Sequence, residues 1–500
     1  MSRRDRWKTC VCCSKSELKY RPNEYSTYRS GWRDRHTSRG SYRRRNDDSS
    51  GIFVLSGIAV ANVGIIAIVS FILAAVVALI TALAYAEFST VYPENGGAYI
   101  YVYHTLKGGW TYFVGWAMIF GYPASAAFYM LSFSHWTERF LYPIFGVPAW
   151  IPGWVWGVAI LTLLIGINIL GAKETGVFQI VVTSGKVLLI LVFIYGGIQA
   201  WQTEIIVSSF TEHVDELGET VTTAALVFIT FFGFEAIATN AGEIRNSERN
   251  VPRAIFISIG FVTVLYIFVI LTVVLAVNKA DFIEFLIQNT GLESRSHVRS
   301  FLTERGELVM GQAAWYFLGR IGFYTIVSGA LLSMISAANA TVLAGSRVKQ
   351  AMARREHLPE TIGSRHPRFG TPFRAVLIKG GLGLVFFLLF GVVFRSQTLL
   401  SISHVFPGLE AYFLGIEALA HFADFMLLAG LIGVNIALIY SRRKQPDVER
   451  GFEVPLVPWL PAIGAVSNLL LLAKVQFASL ILGLGVEAIG VIVWQVFISD

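Results

Sequence analysis

Residues 230–255 read TFFGFEAIATNAGEIRNSERNVPRAI. They close an apolar run, near 221–242, that is long enough to cross a bilayer as a helix. In its middle Gly233 stands between Thr230 and Glu235. A helix in lipid must satisfy its backbone N–H and C=O groups internally, and non-helical backbone at that depth is tolerated only beside protein or a cavity. The polar-flanked glycine therefore predicts a local unwinding that leaves backbone groups free for a ligand, with helix ends aiming their dipoles at its charges. A second such place is Ser49-Ser50-Gly51-Ile52-Phe53, five apolar segments upstream. Paired breaks at corresponding positions of two halves mark the binding site of a secondary transporter.

The rest of the chain supports a membrane setting. Of its 500 residues 54% are hydrophobic and 15% charged, which excludes an ordinary soluble protein. Eleven apolar segments reach spanning length, near 65–86, 110–134, 154–171, 177–200, 221–242, 254–277, 313–344, 374–394, 412–440, 456–474 and 477–498. A twelfth, GIFVLSGIAVANVG from Gly51, comes first in the chain and is too short to span. The expected architecture is an all-α polytopic membrane protein with about 12 transmembrane helices, the first truncated. No Ser/His/Asp, phosphate-binding or metal constellation is present, which argues against an enzyme and against a cofactor. Glu417, His421 and Asp424 share a helix face at i, i+4 and i+7, read as a polar stripe in an outer vestibule rather than as metal ligands.

Charge is divided sharply. Residues 1–50 hold 14 Lys/Arg against 6 Asp/Glu, a net +8, while residues 51–500 hold 26 against 27. All three cysteines, Cys10, Cys12 and Cys13, lie in this basic tail, which carries no periodicity and is expected to be disordered. Three readings stay open for it: attraction to anionic lipid, a nucleic-acid arm, for which membrane tethering leaves little to reach, and an accidental sequence from a displaced start or frame. In the body, the loop near 201–219 carries Glu204, Glu212, Asp215, Glu216 and Glu219 without Lys or Arg and is placed outside. The basic loops around Arg245 to Arg253, Arg347 to Arg368 and Arg442 to Lys444 are placed inside. Counting the short first segment as a crossing puts both termini in the cytoplasm, and the protein in the cell membrane.

Several stretches together resemble one family. GIFVLSG at 51–57, PENGGAYIYVY at 93–103, FFGFEAIATNAGEIRNSERNVPRAI at 231–255, SAANATVLAGSRVKQAMARREHLPE at 336–360 and GFEVPLVPWLPAIG at 451–464 are similar, in order, to signatures of the amino acid–polyamine–organocation permeases. The resemblance runs from Gly51 to the C-terminus. It implies the five-plus-five inverted repeat fold, with a first repeat over 51–200, a second over 220–441 and two terminal helices over 456–498. It implies a secondary active transporter of amino acids. The substrate carboxylate would meet backbone amides of Ser50, Gly51 and Ile52, and its ammonium the carbonyls around Phe228, Ile229 and Phe231, beside Gly233. Phe231 would cover the substrate as a gate, Tyr99 would help close the inner side, and Glu235 would serve gate or proton linkage.

Lys186 lies near the centre of the fifth segment, GVFQIVVTSGKVLLILVFIYGG, about 15 Å from either end at 1.5 Å per residue. An amine at that depth costs several kcal/mol if charged, so it is a functional candidate by default. In proton-coupled members of the resembled family a lysine here looks like a substitute for a sodium ion, with Ser333 and Ser336 as its neighbours; a structural lysine paired to carbonyls is the other reading. Gly121, in GWAMIFGY, stands where carriers of cationic amino acids often have a glutamate, which favours a neutral substrate. The expected partners are thus a small amino acid, protons and the lipid bilayer, with no nucleic acid and no indication of oligomeric state. A reading from a different class is a non-transporting membrane protein, a regulatory relic or disrupted-gene product, because RRRNDDSS precedes Gly51 where the family continues an apolar half-helix.

Overall fold

The computed structural model describes residues 52–148, 150–199, 201–202, 217–290, 306–393 and 416–498. The basic tail with Ser50 and Gly51, the acidic residues Glu204, Glu212, Asp215 and Glu216, and the side chains of Ile229 and Glu417 lie outside that description. Among the described residues all regular structure is helical. The elements are α1 Ile52–Val63, α2 Ala67–Val91, α3 Ala98–Thr105, α4 Gly109–Trp136, α5 Trp154–Leu170, α6 Ala172–Gln199, α7 Leu217–Val227, α8 Phe234–Thr239, α9 Ser247–Val277, α10 Ala280–Thr290, α11 Gly306–Arg354, α12 Phe373–Leu388, α13 Ile416–Lys444, α14 Trp459–Leu472 and α15 Phe477–Phe497. Eight helical stretches are long and apolar enough to cross a membrane, and α5 and α14 are shorter apolar helices.

Three lengths differ from the sequence expectation. α1 and α2 are separate helices joined by a tight turn at Gly64–Ile66, where Gly64 has φ 57°, inside the single apolar stretch Leu55–Val91 of 37 residues. α4 continues through a wider turn at Thr137–Leu141 to Phe145, and α11 runs 49 residues with a kink at Gly319. At Gly319 the backbone turns to φ 69°, left-handed space that glycine enters without a Cβ penalty. Hydropathy marks only the lipid-immersed part of a helix; packing against neighbours carries α4 and α11 further.

The packing is that of a protein whose solvent is lipid. On α2 the buried stripe is Ala74, Ala78 and Ala82, while Ile72, Val76 and Leu79 face outward. Lipid tails are as apolar as leucine, so helices associate through close contact of small residues rather than by hiding large ones. α2 packs along α9, α4 along both α11 and α13, and α6 along α11.

One buried charge cluster ties distant segments together. Glu87, fully buried near the end of α2, pairs with Arg442 Nε of α13 at 2.9 Å and Arg450 Nε at 3.0 Å, and accepts the Val454 N–H at 2.6 Å. Removing one partner of a buried pair leaves an uncompensated charge, which costs about 3–5 kcal/mol. Glu87→Ala is expected to lower the thermal midpoint in detergent by an amount of that order, whereas Glu453→Ala, which removes an exposed partner of Arg442, should leave it almost unchanged. Equal midpoints for the two variants would disprove the role given to Glu87.

Candidate functional site

α7 ends at Val227, a single tight turn covers Phe228–Phe231, and the chain is non-helical at Phe232 and Gly233 before α8 begins. Gly233 has φ 126° and ψ −20°, a conformation that L side chains rarely adopt. It is exposed, and among the described residues a Cβ built on it would meet nothing within 4 Å. An interrupted backbone therefore opens onto free space where the sequence places the middle of a span.

The break is held on several sides. Glu235, buried, accepts the Gly233 N–H through Oε2 at 2.8 Å, which closes the turn by the side chain two residues on. Tyr266 of α9 donates its hydroxyl to the Thr230 carbonyl at 3.3 Å and sets its ring edge against Phe231, 5.6 Å between centroids. Phe71 of α2 packs edge-on against the other side of Tyr266 at 5.8 Å. Phe228 and Phe231 are both buried, and Phe228 meets Phe232 edge to face at 5.5 Å. The aromatic cluster leaves an apolar wall beside the open backbone. Tyr266 and Phe71 escaped the sequence reading, because aromatic residues in apolar spans are common and nothing local marks these two.

Ile52 is buried at the start of α1, and Phe53 sets its ring against Gly329 of α11 so closely that a Cβ there would lie 3.1 Å away. Leu189 of α6 borders the same glycine, so α1, α6 and α11 meet at this level. Lys186 lies one turn from Leu189, on the face of α6 that also carries Gln179 and Thr183 at i−7 and i−3. Those two engage α11: Gln179 Nε2 donates to Ser336 Oγ at 2.7 Å, Thr183 and Ser336 hydroxyls meet at 3.2 Å, and Asn339 donates to Gln179 Oε1 at 2.8 Å. Asn168 of α5 extends the chain to Asn339 at 2.9 Å. Ser336 is therefore bonded to Gln179 and Thr183. The antiparallel register of α6 and α11 brings Lys186 level with Ser333, and among the described residues no hydrogen bond or ion pair to Lys186 is present. The i, i+4, i+7 spacing of Gln179, Thr183 and Lys186 was visible in the sequence and marks this face.

At one end of the bundle the loop PENGGAY closes on the exit of α8. Gly96 N–H donates to the Thr239 carbonyl at 2.9 Å and Gly242 N–H to Asn95 Oδ1 at 2.9 Å. A Cβ on Gly97, whose φ is 50°, would strike Thr239 Oγ1, so the approach depends on glycine. Tyr99, fully buried, meets His357 Nδ1 at 3.0 Å through its hydroxyl, and the rings of Tyr103 and Tyr112 flank the same histidine at 5.9 Å. Glu243 pairs with the buried Arg347 of α11 at 2.5 Å; Arg245 and Arg249 are exposed.

Burial raises the Tyr99 phenol above its ordinary range, so it stays protonated. Burial lowers His357 below its ordinary 6.5, which favours the neutral ring, and the tautomer of that ring sets which of the two groups donates. A depressed folded-state value means the closed arrangement contributes its full stability above about pH 6.5 and loses it as pH falls through the lowered value. The thermal midpoint of the wild type is expected to drop on acidification below pH 6.5 more steeply than that of His357→Asn. Identical pH profiles would refute this.

The fold and this arrangement define an all-helical, multi-pass membrane protein with an open backbone break at its core. Residues 48–491 match the family model described as amino acid permease, and the chain belongs to that family. It is 27% identical over 439 residues to a methylthioribose transporter of Bacillus subtilis, spanning 83% of this chain and 82% of that one. It is 24% identical over 474 residues to a branched-chain amino acid permease of the same organism, spanning 90% and 89%. A serine/threonine exchanger, also from Bacillus subtilis, is 26% identical over 433 residues, spanning 85% and 86%.

Proposed function

We propose that this protein is a secondary active transporter that moves neutral amino acids across the cell membrane by alternating access, coupled to protons. The observation that carries the reading is the open backbone break at Gly233. A zwitterion needs donors at one end and acceptors at the other; carbonyls around Phe228, Ile229 and Phe231 supply acceptors for the ammonium, and amides at Ser50, Gly51 and Ile52 are proposed as the donors. Phe231, braced by Tyr266, is the gate over the substrate, Tyr99 closes the cytoplasmic side and Glu235 links gate to backbone through the Gly233 amide. Lys186, with Ser333 and Ser336, is assigned the coupling role, the amine exchanging its proton where α1, α6 and α11 meet. In this reading α1 to α6 and α7 to α13 are the inverted five-plus-five repeats, α14 and α15 follow them, and both termini are cytoplasmic.

A neutral substrate is supported by the walls of the break, which are aromatic, and by Gly121, where a Cβ would lie 2.9 Å from Met426. A side chain long enough to meet a cationic substrate has no room there. Two of the relatives carry amino acids by name and a third methylthioribose, so the test offers both. Purified protein in proteoliposomes is expected to accumulate a labelled neutral amino acid, faster with an inward proton gradient. Uptake of methylthioribose alone would overturn the substrate and leave transport standing; uptake of neither would favour a non-transporting protein.

A further inference from the structure

A second concavity lies on the outer surface of the bundle, between α2 and α9. It encloses about 770 Å³ and is walled by Ile72, Val76 and Leu79 of α2 and by Phe256, Gly260 and Val264 of α9. Its one hydroxyl, Thr263, donates to the Ile259 carbonyl of its own helix at 2.7 Å, so the wall offers no free polar group. Phe452 and Pro455 cap one end, Phe452 resting on Phe256 at 5.4 Å. Gly260 opens the floor: it is exposed, and a Cβ there would meet nothing within 4 Å.

Beyond the capped end the same face of α9 carries charge. Arg249, Arg253, Phe256 and Gly260 follow one another at spacings of four, three and four, which aligns them in one stripe. Arg249 and Arg253 are exposed, and among the described residues neither has an acidic partner. Glu248 precedes Arg249 on α9 and is exposed, and among the described residues no ion pair joins it to either arginine; Glu87 pairs with Arg442 and Arg450, and Glu453 with Arg442. A groove without polar groups that leads to two uncompensated guanidinium groups complements an amphiphile with an anionic head. We propose that this groove binds an anionic phospholipid, one acyl chain lying along Gly260 between α2 and α9 and the phosphate paired with Arg249 and Arg253. Guanidinium and phosphate suit each other through paired N–H···O bonds. The far end of the groove, at Ile72 and Val264, adjoins the Phe71 and Tyr266 pair that braces the break, so a bound lipid touches the helices that would move during transport.

Native mass spectrometry of the full chain, after exchange into detergent with phosphatidylglycerol or phosphatidylcholine, tests the site. The wild type is expected to retain phosphatidylglycerol about tenfold more than phosphatidylcholine, given the attraction of each basic side chain for anionic lipid. Arg249→Gln with Arg253→Gln should abolish that preference, and Gly260→Trp, which fills the floor, should remove the retained lipid itself. Gly260→Leu serves in its place if the tryptophan variant has a lowered thermal midpoint in lipid-free detergent. Equal retention of the two lipids by the wild type would overturn the proposal. So would a loss on removing the arginines with none on filling the groove, which would indicate surface attraction alone.

Discussion

Gly233→Val is expected to reduce amino acid uptake by at least about 100-fold while the protein still reaches the membrane and unfolds near the wild-type temperature. Space is not the obstacle, since among the described residues a Cβ at this position meets nothing within 4 Å. The backbone is: φ of 126° is closed to a β-branched residue, and holding a side chain in sparsely populated space costs about 1–3 kcal/mol. The chain can escape that cost by rewinding, so that the tight turn at Phe228–Phe231 runs into α8. Rewinding would return carbonyls of the turn to helical partners and withdraw them from the substrate ammonium. Hydrogen bonds to a charged group are each worth about 1.5–3 kcal/mol, and about 1.4 kcal/mol is a factor of ten, so losing two removes roughly 100-fold or more in binding. Gly233→Ala should fall between, with KM raised more than kcat is lowered. Wild-type kinetics for the valine variant would show that substrate does not bind at the break.

Lys186→Met is expected to lower proton-driven uptake by at least about tenfold and to flatten its dependence on pH, without loss of thermal stability. A lysine at the centre of a membrane helix costs about 2.5–3.5 kcal/mol on insertion scales, and the described residues offer this amine no partner that would offset the cost. Methionine keeps the length of the side chain and removes the charge, so a merely structural lysine would give a variant as active as the wild type or more so. A coupling lysine gives a folded protein that no longer responds to the proton gradient. Retained pH-dependent uptake in Lys186→Met would dismiss the coupling role and leave transport intact. Gln179→Ala is a useful companion: it breaks the bonds to Ser336 and Asn339 and should loosen α6 against α11, lowering the thermal midpoint that Lys186→Met leaves unchanged.

Much of the candidate site was open to reading because its signals are local. A glycine between polar residues in an apolar run, PENGGAY before a helix and a lysine at mid-span are all anomalies against a uniform background, and in lipid an anomaly has a known cost. The partners of these residues were not local. Tyr266, which braces the break through Thr230 and Phe231, is an ordinary aromatic of α9. Gln179 and Thr183, rather than Lys186, bind Ser336, because the offset of α6 against α11 decides which pair of side chains comes within reach. His357 meets Tyr99 across 258 positions of sequence.

The sequence by itself determined that this is a membrane protein of many helices, that one of them is broken at Gly233, that the basic charge lies before residue 51 and that the family is that of the permeases. The helices and the break follow from one-dimensional pattern, because lipid penalises every exposed polar group in the same way wherever the helix is placed; the charge follows from composition, and the family from the resemblance of the quoted stretches. Only the tertiary structure decided that the break faces open space, that Glu87 locks α2 to α13 and Arg450, and that an apolar groove runs from Phe452 toward the braces of the gate. Those depend on helix rotation and register. With lipid as solvent, the hydrophobic effect does not select between rotations; close packing of small residues does, and that is a property of pairs of helices.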